Sequence, residues 1–146
     1  MPCNYKKYPA NWKQIRAQIL ERAGHECEWC GVRDRSIGFR ENGVFVELAQ
    51  SKSSAGMECE NAALDGHKVI EIVLTIAHLG TPHADGTPGD KRDKMDVRPE
   101  NLAALCQRCH LVFDADEHAQ NASITRAKKL RAVARDAGQL ELSLVT

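Results

Sequence analysis

Residues 99–110 read PENLAALCQRCH, a Cys-x-x-Cys pair followed at once by a histidine. The cysteines of this pair are Cys106 and Cys109, and a second pair with the same spacing is formed by Cys27 and Cys30. Two such pairs supply four thiolates that can close a tetrahedron around Zn²⁺, which is the geometry of structural zinc sites. The sequence therefore predicts a structural zinc ion that clips the end of an N-terminal helix to the C-terminal half.

Two other interpretations of the paired cysteines are redox-active motifs and a disulfide pair. Neither explains why both pairs end helical or strand segments in a chain that we expect to be cytosolic. The remaining cysteines, Cys3 and Cys59, have no partner at metal-ligand spacing and are interpreted as ordinary free thiols.

Periodicity predicts a helix before the first cysteine pair. In residues 11–23, Trp12, Ile15 and Ile19 share one face, and Gly24 can end the helix in a left-handed turn. This helix leads directly into the first pair.

Strands are predicted between the cysteine pairs. The strongest candidate is residues 68–79, KVIEIVLTIAHL, in which the even-numbered positions from Ile70 to His78 share one face. Residues 43–49 predict a shorter strand, and residues 50–66 predict a loop or a weak helical turn.

The C-terminal part is predicted to hold a long loop and two helices. Residues 80–98 contain three Gly, two Pro and four Asp without periodicity, which is typical of a functional or disordered loop. Helices are predicted at about 107–118 and 122–137, the second with Gly138 as its stop signal. Its inward positions would be Ile124, Ala127, Leu130 and Ala134. The predicted fold class is α+β.

Three polar residues fall at the junctions of these elements. His78 closes the strongest strand, Asn101 precedes the second cysteine pair, and His110 follows Cys109 directly. A turn fixed by zinc would position His110.

With these residues, the sequence resembles the HNH endonucleases, especially the small zinc-binding kind common in bacteriophage genomes. The matching stretches are CEWCG after a helix, Ile76-Ala77-His78-Leu79 at the end of a strand, and ENLAALCQRCH at residues 100–110. The run from Trp12 to Gly24 is similar to this family too, so the resemblance covers nearly all of residues 12–118.

The resemblance implies a zinc-stapled ββα-metal core with an N-terminal helix and C-terminal helices. It implies that His78 is the general base, that Asn101 holds the loop or contributes to the metal, and that His110 is a metal ligand. The second metal would be a divalent cation, Mg²⁺, Mn²⁺, Ni²⁺ or Zn²⁺, that neutralises charge on the phosphate. An imidazole has the pKa range for taking a proton from water near neutrality.

One position departs from the family pattern. Many HNH sites place Asp before the first histidine, whereas this chain has Ala77. The additional candidate ligands are two residues of the long loop and two of the following helix, namely His83, Asp85, Asp114 and His118. The last two would share a helix face with His110, although a solvated or capping polar stripe explains them equally well. The other two histidines, His25 and His67, are interpreted as surface or structural residues.

Charge is distributed unevenly along the chain. Lys plus Arg and Asp plus Glu both number 20, so the formal net charge is zero. Residues 41–71 contain six acidic residues and two lysines. Residues 121–135 contain five cations and no acid, namely Arg126, Lys128, Lys129, Arg131 and Arg135. These cations are candidates for contacts with the DNA phosphates, and a solvated helix face is the alternative.

We therefore expect a single domain over residues 1–146, with a core at about 11–118 and a basic helix at about 122–137. No apolar run approaches the roughly 18 residues of a membrane span, and a cytoplasmic location without membrane partners is expected. Three functions remain open. They are an active metal-dependent DNA endonuclease or nickase, a non-catalytic zinc-stabilised DNA- or protein-binding module, and a nuclease subunit that needs a phage packaging partner. DNA, and other phage or host proteins, are the expected partners.

Overall fold

A computed structural model describes residues 5–143. The chain forms two compact units, Met1–His110 and Leu111–Thr146. The elements of the described residues are α1 (Trp12–Arg22), β1 (Ile37–Glu41), β2 (Val44–Ala49), α2 (Met57–Leu64), β3 (Ile70–Glu71), β4 (Thr75–His78), β5 (Leu102–Leu105), α3 (Gln107–Phe113) and α4 (Ala115–Ser143). They make two small antiparallel sheets, β2-β1-β3 and β4-β5. The α+β prediction is confirmed.

Helix α1 follows its predicted bounds closely. It buries Trp12, Ile15 and Ile19, as its periodicity indicates, together with Leu20. The chain leaves the helix through Gly24, whose φ is +62°, a conformation in which a residue without Cβ is not strained. The chain continues from this turn into the first cysteine pair.

The predicted strand at 68–79 is two strands in different sheets. β3 pairs with β1, whereas β4 pairs with β5. Between them, the Ile72 N–H donates to the Ser36 carbonyl and the Leu74 N–H donates to Asp34 Oδ1. Ile72 and Leu74 are both fully buried, so alternation continues across the switch although the partner strand changes.

The first sheet is built on a hairpin of which sequence analysis predicted one half. β2 confirms the strand at 43–49, and β1 was missed. The turn is Asn42-Gly43, with φ values of +48° and +85°. Asn-Gly is the strongest short signal for such a two-residue turn, so the sequence did contain the information.

Residues 50–66 hold a 3₁₀ turn at Lys52–Ser54 and helix α2. The helix buries Ala62 and exposes Met57 and Leu64. The prediction of a loop or weak helical turn understated this segment.

The C-terminal helices break earlier than predicted. α3 ends at Phe113 and α4 runs from Ala115 to Ser143, so the predicted bounds and the predicted stop at Gly138 are wrong. No Gly or Pro stands near residues 119–121 to break the helix there. The predicted inward residues Ile124 and Leu130 are exposed, so that part of the prediction is wrong. Among the described helices, none combines the length and apolarity that crossing a membrane requires.

The core of the first unit lies where α1 meets the β4-β5 pair. The fully buried side chains there include Leu74, Leu102 and Leu105. All of β5 is buried, which fixes the second cysteine pair at its carboxyl end.

Candidate metal centre and active site

The four paired cysteines come together in one cluster. Their Sγ atoms all lie within 4.8 Å of one another, and Cys30 Sγ is 3.7 Å from Cys106 Sγ. A zinc–sulfur bond of about 2.3 Å gives a tetrahedron with sulfurs about 3.8 Å apart. The donor set therefore fits a tetrahedral thiolate metal site, and the described cysteines are free thiols rather than disulfides.

Backbone geometry builds this cluster. In the first turn, the Gly31 N–H donates to the Cys27 carbonyl, and Gly31 has a φ of +70°. Two backbone N–H groups donate to sulfur. The Cys106 N–H donates to Cys27 Sγ at 3.3 Å, and the Cys109 N–H donates to Cys106 Sγ at 3.5 Å. Such bonds stabilise thiolate over thiol.

Glu28 joins the first cysteine pair to β5. Its backbone N–H donates to the Ala104 carbonyl at 2.9 Å, and its carboxylate accepts the Ala104 N–H at 2.6 Å. Arg22 pairs with the same carboxylate at 2.7 Å and donates to the Leu102 carbonyl. These contacts hold the two cysteine pairs close together, although they are far apart in the sequence.

The thiols influence one another's ionisation. Burial, followed by the thiols of Cys30 and Cys106, raises the pKa of Cys109 far above its usual range. Burial also raises the pKa of Cys30. At Cys27 burial opposes ionisation, but the N–H donors around its sulfur outweigh that effect and the pKa falls. Four thiolates this close need a cation to share their charge.

His78 lies at the end of β4, opposite Leu102. Its ring stacks on Trp12 with centroids 5.6 Å apart and lies 5.9 Å from the Tyr8 ring. The residue is 3% exposed, and its Nε2 is buried without a hydrogen-bond partner among the described residues.

The surroundings of His78 keep its imidazole neutral. Burial, and secondly the charge of Lys94, lower its pKa to about 4. Asp96 and Asp93 act in the opposite direction, and His110 adds to the lowering. Near neutral pH the ring is therefore uncharged, and one of its nitrogens bears a lone pair.

Asn101 ties both ends of the long loop to the start of β5. Its Oδ1 accepts the Thr81 N–H at 2.8 Å, and its Nδ2 donates to the Asp96 carbonyl at 3.0 Å. The residue is fully buried. Of the two roles that the resemblance implies, these contacts support holding the loop, and the role of Asn101 at a metal stays a prediction.

His110 lies one turn into α3. Its Nδ1 is 2.7 Å from Thr75 Oγ1, and that hydroxyl donates to the Leu105 carbonyl at 3.2 Å. When that hydroxyl donates its one hydrogen to the Leu105 carbonyl, Nδ1 of His110 carries the proton in their shared bond and Nε2 bears the lone pair. This is the tautomer that a metal-binding imidazole needs.

The other candidate ligands have contacts of their own. His83 is exposed, with Nε2 3.9 Å from Asp96 Oδ2, and Asp96 is bound by Arg98 through two contacts of 2.8 Å. Asp85 Oδ1 accepts the N–H and the hydroxyl of Thr87. Asp114 and His118 belong to the second unit, where the His118 N–H donates to the Asp114 carbonyl. Within residues 5–143, the four cysteines are the one set of three or more His, Cys, Asp or Glu side chains close enough to hold a metal.

Sequence reasoning missed several contributors. Tyr8 contacts Trp12 and His78 from outside α1, so no helical spacing in the sequence predicts its position. Lys94 and the Asp96–Arg98 pair carry no local signal, since the loop positions them. The five predicted DNA-contact residues of α4 are all exposed, and their role stays a prediction.

No protein-family model, no curated protein and no solved structure matches this chain significantly.

Proposed function

We propose that this chain is a metal-dependent DNA endonuclease or nickase of the HNH type, with His78 as the general base. The observation that carries the proposal is the environment of His78. A buried imidazole nitrogen without a partner costs folding free energy, and a catalytic role is one physical explanation for such a group. His78 combines this feature with a lowered pKa, which keeps the ring in the neutral form that a base must have near neutral pH.

The order of elements supports the same function. His78 ends one strand of an antiparallel pair, the opposing strand begins after Asn101, and His110 follows in the next helix. This is the strand–loop–strand–helix sequence that the HNH resemblance implies. We infer a ββα-metal core stapled by zinc at the four cysteines.

In this mechanism, the chain's own residues orient the base and its loop. Trp12 and Tyr8 hold the His78 ring in a fixed plane. As the oxygen of the attacking water bonds to phosphorus, the imidazole takes the proton of that water. The P–O bond to the leaving sugar oxygen breaks, and that oxygen takes a proton from solvent water. Asn101 holds the two ends of the loop at residues 80–98 through its bonds to Thr81 and Asp96. A divalent cation, held by His110 and further ligands from the substrate phosphate, would neutralise charge on the phosphodiester.

The basic residues of α4 provide the proposed DNA contact. Five exposed cations over ten residues can neutralise phosphates without reading sequence. We take DNA as the substrate, and host or phage proteins as additional partners.

A non-catalytic zinc-stabilised binding module is the second candidate. It is favoured by the donor set, because no three His, Cys, Asp or Glu ligand atoms meet around His110 within the described residues. Ala77, where a family carboxylate would stand, points the same way. A subunit that cuts only beside a phage packaging partner would also fit this donor set.

Plasmid nicking separates these functions. We expect wild-type protein to nick supercoiled plasmid with Mg²⁺, Mn²⁺, Ni²⁺ or Zn²⁺ and to stop when a chelator is added. His78→Ala should lower the rate about 10²–10⁴-fold, and more metal should not restore it. His110→Ala should also lose activity, with partial rescue at high metal concentration.

The matched control is His67→Ala, because His67 stacks on Phe39 beside the other sheet. It should leave nicking unchanged. If His78→Ala nicks as fast as wild type, His78 is not the base and His83 is tested next. DNA binding without nicking in every metal would favour the binding module, and nicking that appears only with a partner would favour the subunit.

A further inference from the structure

Arg40 reaches the cysteine cluster from the first sheet. Its Nη2 donates to Cys106 Sγ at 3.6 Å, and its Nη1 donates to the Gly43 carbonyl at 3.4 Å. The guanidinium carbon lies 5.6 Å from the centre of the Phe45 ring, on the neighbouring strand. The hairpin therefore holds a permanent cation against a sulfur of the cluster.

The Arg40 contact places a positive charge beside a cluster of negatively charged sulfurs. Four thiolates around a divalent ion carry a net charge of −2, and Cys106 is fully buried, so water cannot solvate that sulfur. Cys106 Sγ accepts one backbone N–H, from Cys109, and the second donor is Arg40. A charged donor shares more of the thiolate's charge than a neutral one.

We propose that Arg40 is an outer-sphere residue of the four-cysteine metal site and slows the loss of the metal. By donating to Cys106 Sγ, it offsets part of the negative charge on that buried sulfur and so opposes its departure from the ion. Outer-sphere partners of metal ligands commonly change metal affinity 10–100-fold. The inference rests on the metal site within the proposed function and is independent of nuclease activity.

Arg108 offers a matched control. Its guanidinium donates to the same Gly43 carbonyl, and it has no hydrogen bond to sulfur within the described residues. Replacing Arg108 therefore weakens the attachment of the hairpin without removing a donor from the cluster. Replacing Arg40 removes both its bond to the Gly43 carbonyl and its bond to Cys106 Sγ.

The experiment compares zinc transfer from full-length protein to a chromophoric chelator. Arg40→Met should release zinc about ten-fold faster or more than wild type, and Arg108→Met should stay within two-fold. Arg40→Lys retains a cation that can donate to sulfur, so its rate of zinc release should lie between those of wild type and Arg40→Met. This variant also keeps the test valid if Arg40→Met fails to fold.

Cobalt substitution adds a signature that a purely structural role would not move. Loss of the N–H···S bond should shift the sulfur-to-cobalt charge-transfer band of Arg40→Met to lower energy, with no shift in Arg108→Met. Equal release rates in wild type and both Arg40 variants would overturn the inference, as would equal acceleration by the Arg40 and Arg108 variants. A wild-type protein without any thiolate–cobalt band would instead refute the metal site itself.

Discussion

The imidazole of His78 is packed between aromatic rings and a strand pair, and this packing decides its charge state. In an unfolded chain its pKa is about 6.5. In the fold, burial and Lys94 lower the pKa to about 4. The imidazole therefore stays neutral at pH values well above 4.

This shift makes the free energy of unfolding depend on pH. As pH falls from about 6.5 to about 4, the unfolded chain binds a proton that the folded chain does not, so stability is lost as pH falls. The loss attributable to His78 should reach about 2 kcal/mol at pH 5. His78→Gln should lack this component, so its urea unfolding curves at pH 7.5 and pH 5 should differ by less than those of wild type.

Any acid-induced loss of metal from the cysteines is common to both proteins and cancels in that comparison. Parallel pH dependence in wild type and His78→Gln would show that the histidine is not desolvated as described.

At the scale of elements, the loop at residues 80–98 depends on Asn101. The side chain bonds backbone groups of Thr81 and Asp96, near the two ends of the loop, from a fully buried position. Asn101→Ala should destabilise the fold by about 1–3 kcal/mol, because it leaves buried backbone groups unpaired. Hydrogen exchange should quicken across this loop and remain unchanged in α1.

Asn61→Ala, at an exposed position on α2, is the matched control and should change neither quantity. If exchange in the loop stays slow in Asn101→Ala, other contacts such as the Asp96–Arg98 pair hold the loop instead.

The elements that were predicted correctly are those whose sequence signals lie within the segment itself. The face of α1 follows from the spacing of Trp12, Ile15 and Ile19, and the second cysteine pair follows directly after a buried strand. The division of residues 68–79 could not be predicted, because it depends on bonds to Ser36 and Asp34 far along the chain. A period-two pattern records which side chains are buried but not which strand lies beside them.

The exposed cations of helix α4 can be tested for binding to DNA. Arg126, Lys128, Lys129, Arg131 and Arg135 are exposed and succeed one another without an acid. If they contact phosphates, each lost contact should lower the salt slope of DNA affinity by about one. Reversing Lys128 and Lys129 to Glu should therefore weaken binding at low salt and flatten its salt dependence.

The control for α4 is the reversal of Lys6 and Lys7, two exposed cations near the other end of the chain. Unchanged affinity and slope in the Lys128 and Lys129 variant would mark this helix as a solvated face.

At the scale of the whole molecule, the four cysteines join the two ends of the unit Met1–His110. Aromatic residues make up only 5% of the chain, and much of the buried core is aliphatic or alanine. Cysteine spacing alone predicted the cluster, because tetrahedral zinc needs only a count of ligands at suitable separations. Contacts around His78 could not be predicted in this way, since they depend on how α1 and the long loop pack.

Loss of one cysteine should therefore affect the whole molecule rather than one site. Zinc binding to four thiolates contributes about 10–16 kcal/mol to folding in small modules, as much as the total stability of a typical domain, about 5–15 kcal/mol. Cys106→Ser should unfold the protein at ambient temperature, which the loss of near-ultraviolet circular dichroism would report. Metal analysis should find about one zinc per wild-type chain, and a strong chelator should lower the melting temperature. Cys59→Ser, outside the cluster, should keep both the zinc and the melting temperature. A purified wild-type protein that holds no metal and melts at the same temperature with and without chelator would contradict the zinc site, because packing alone would then stabilise the fold.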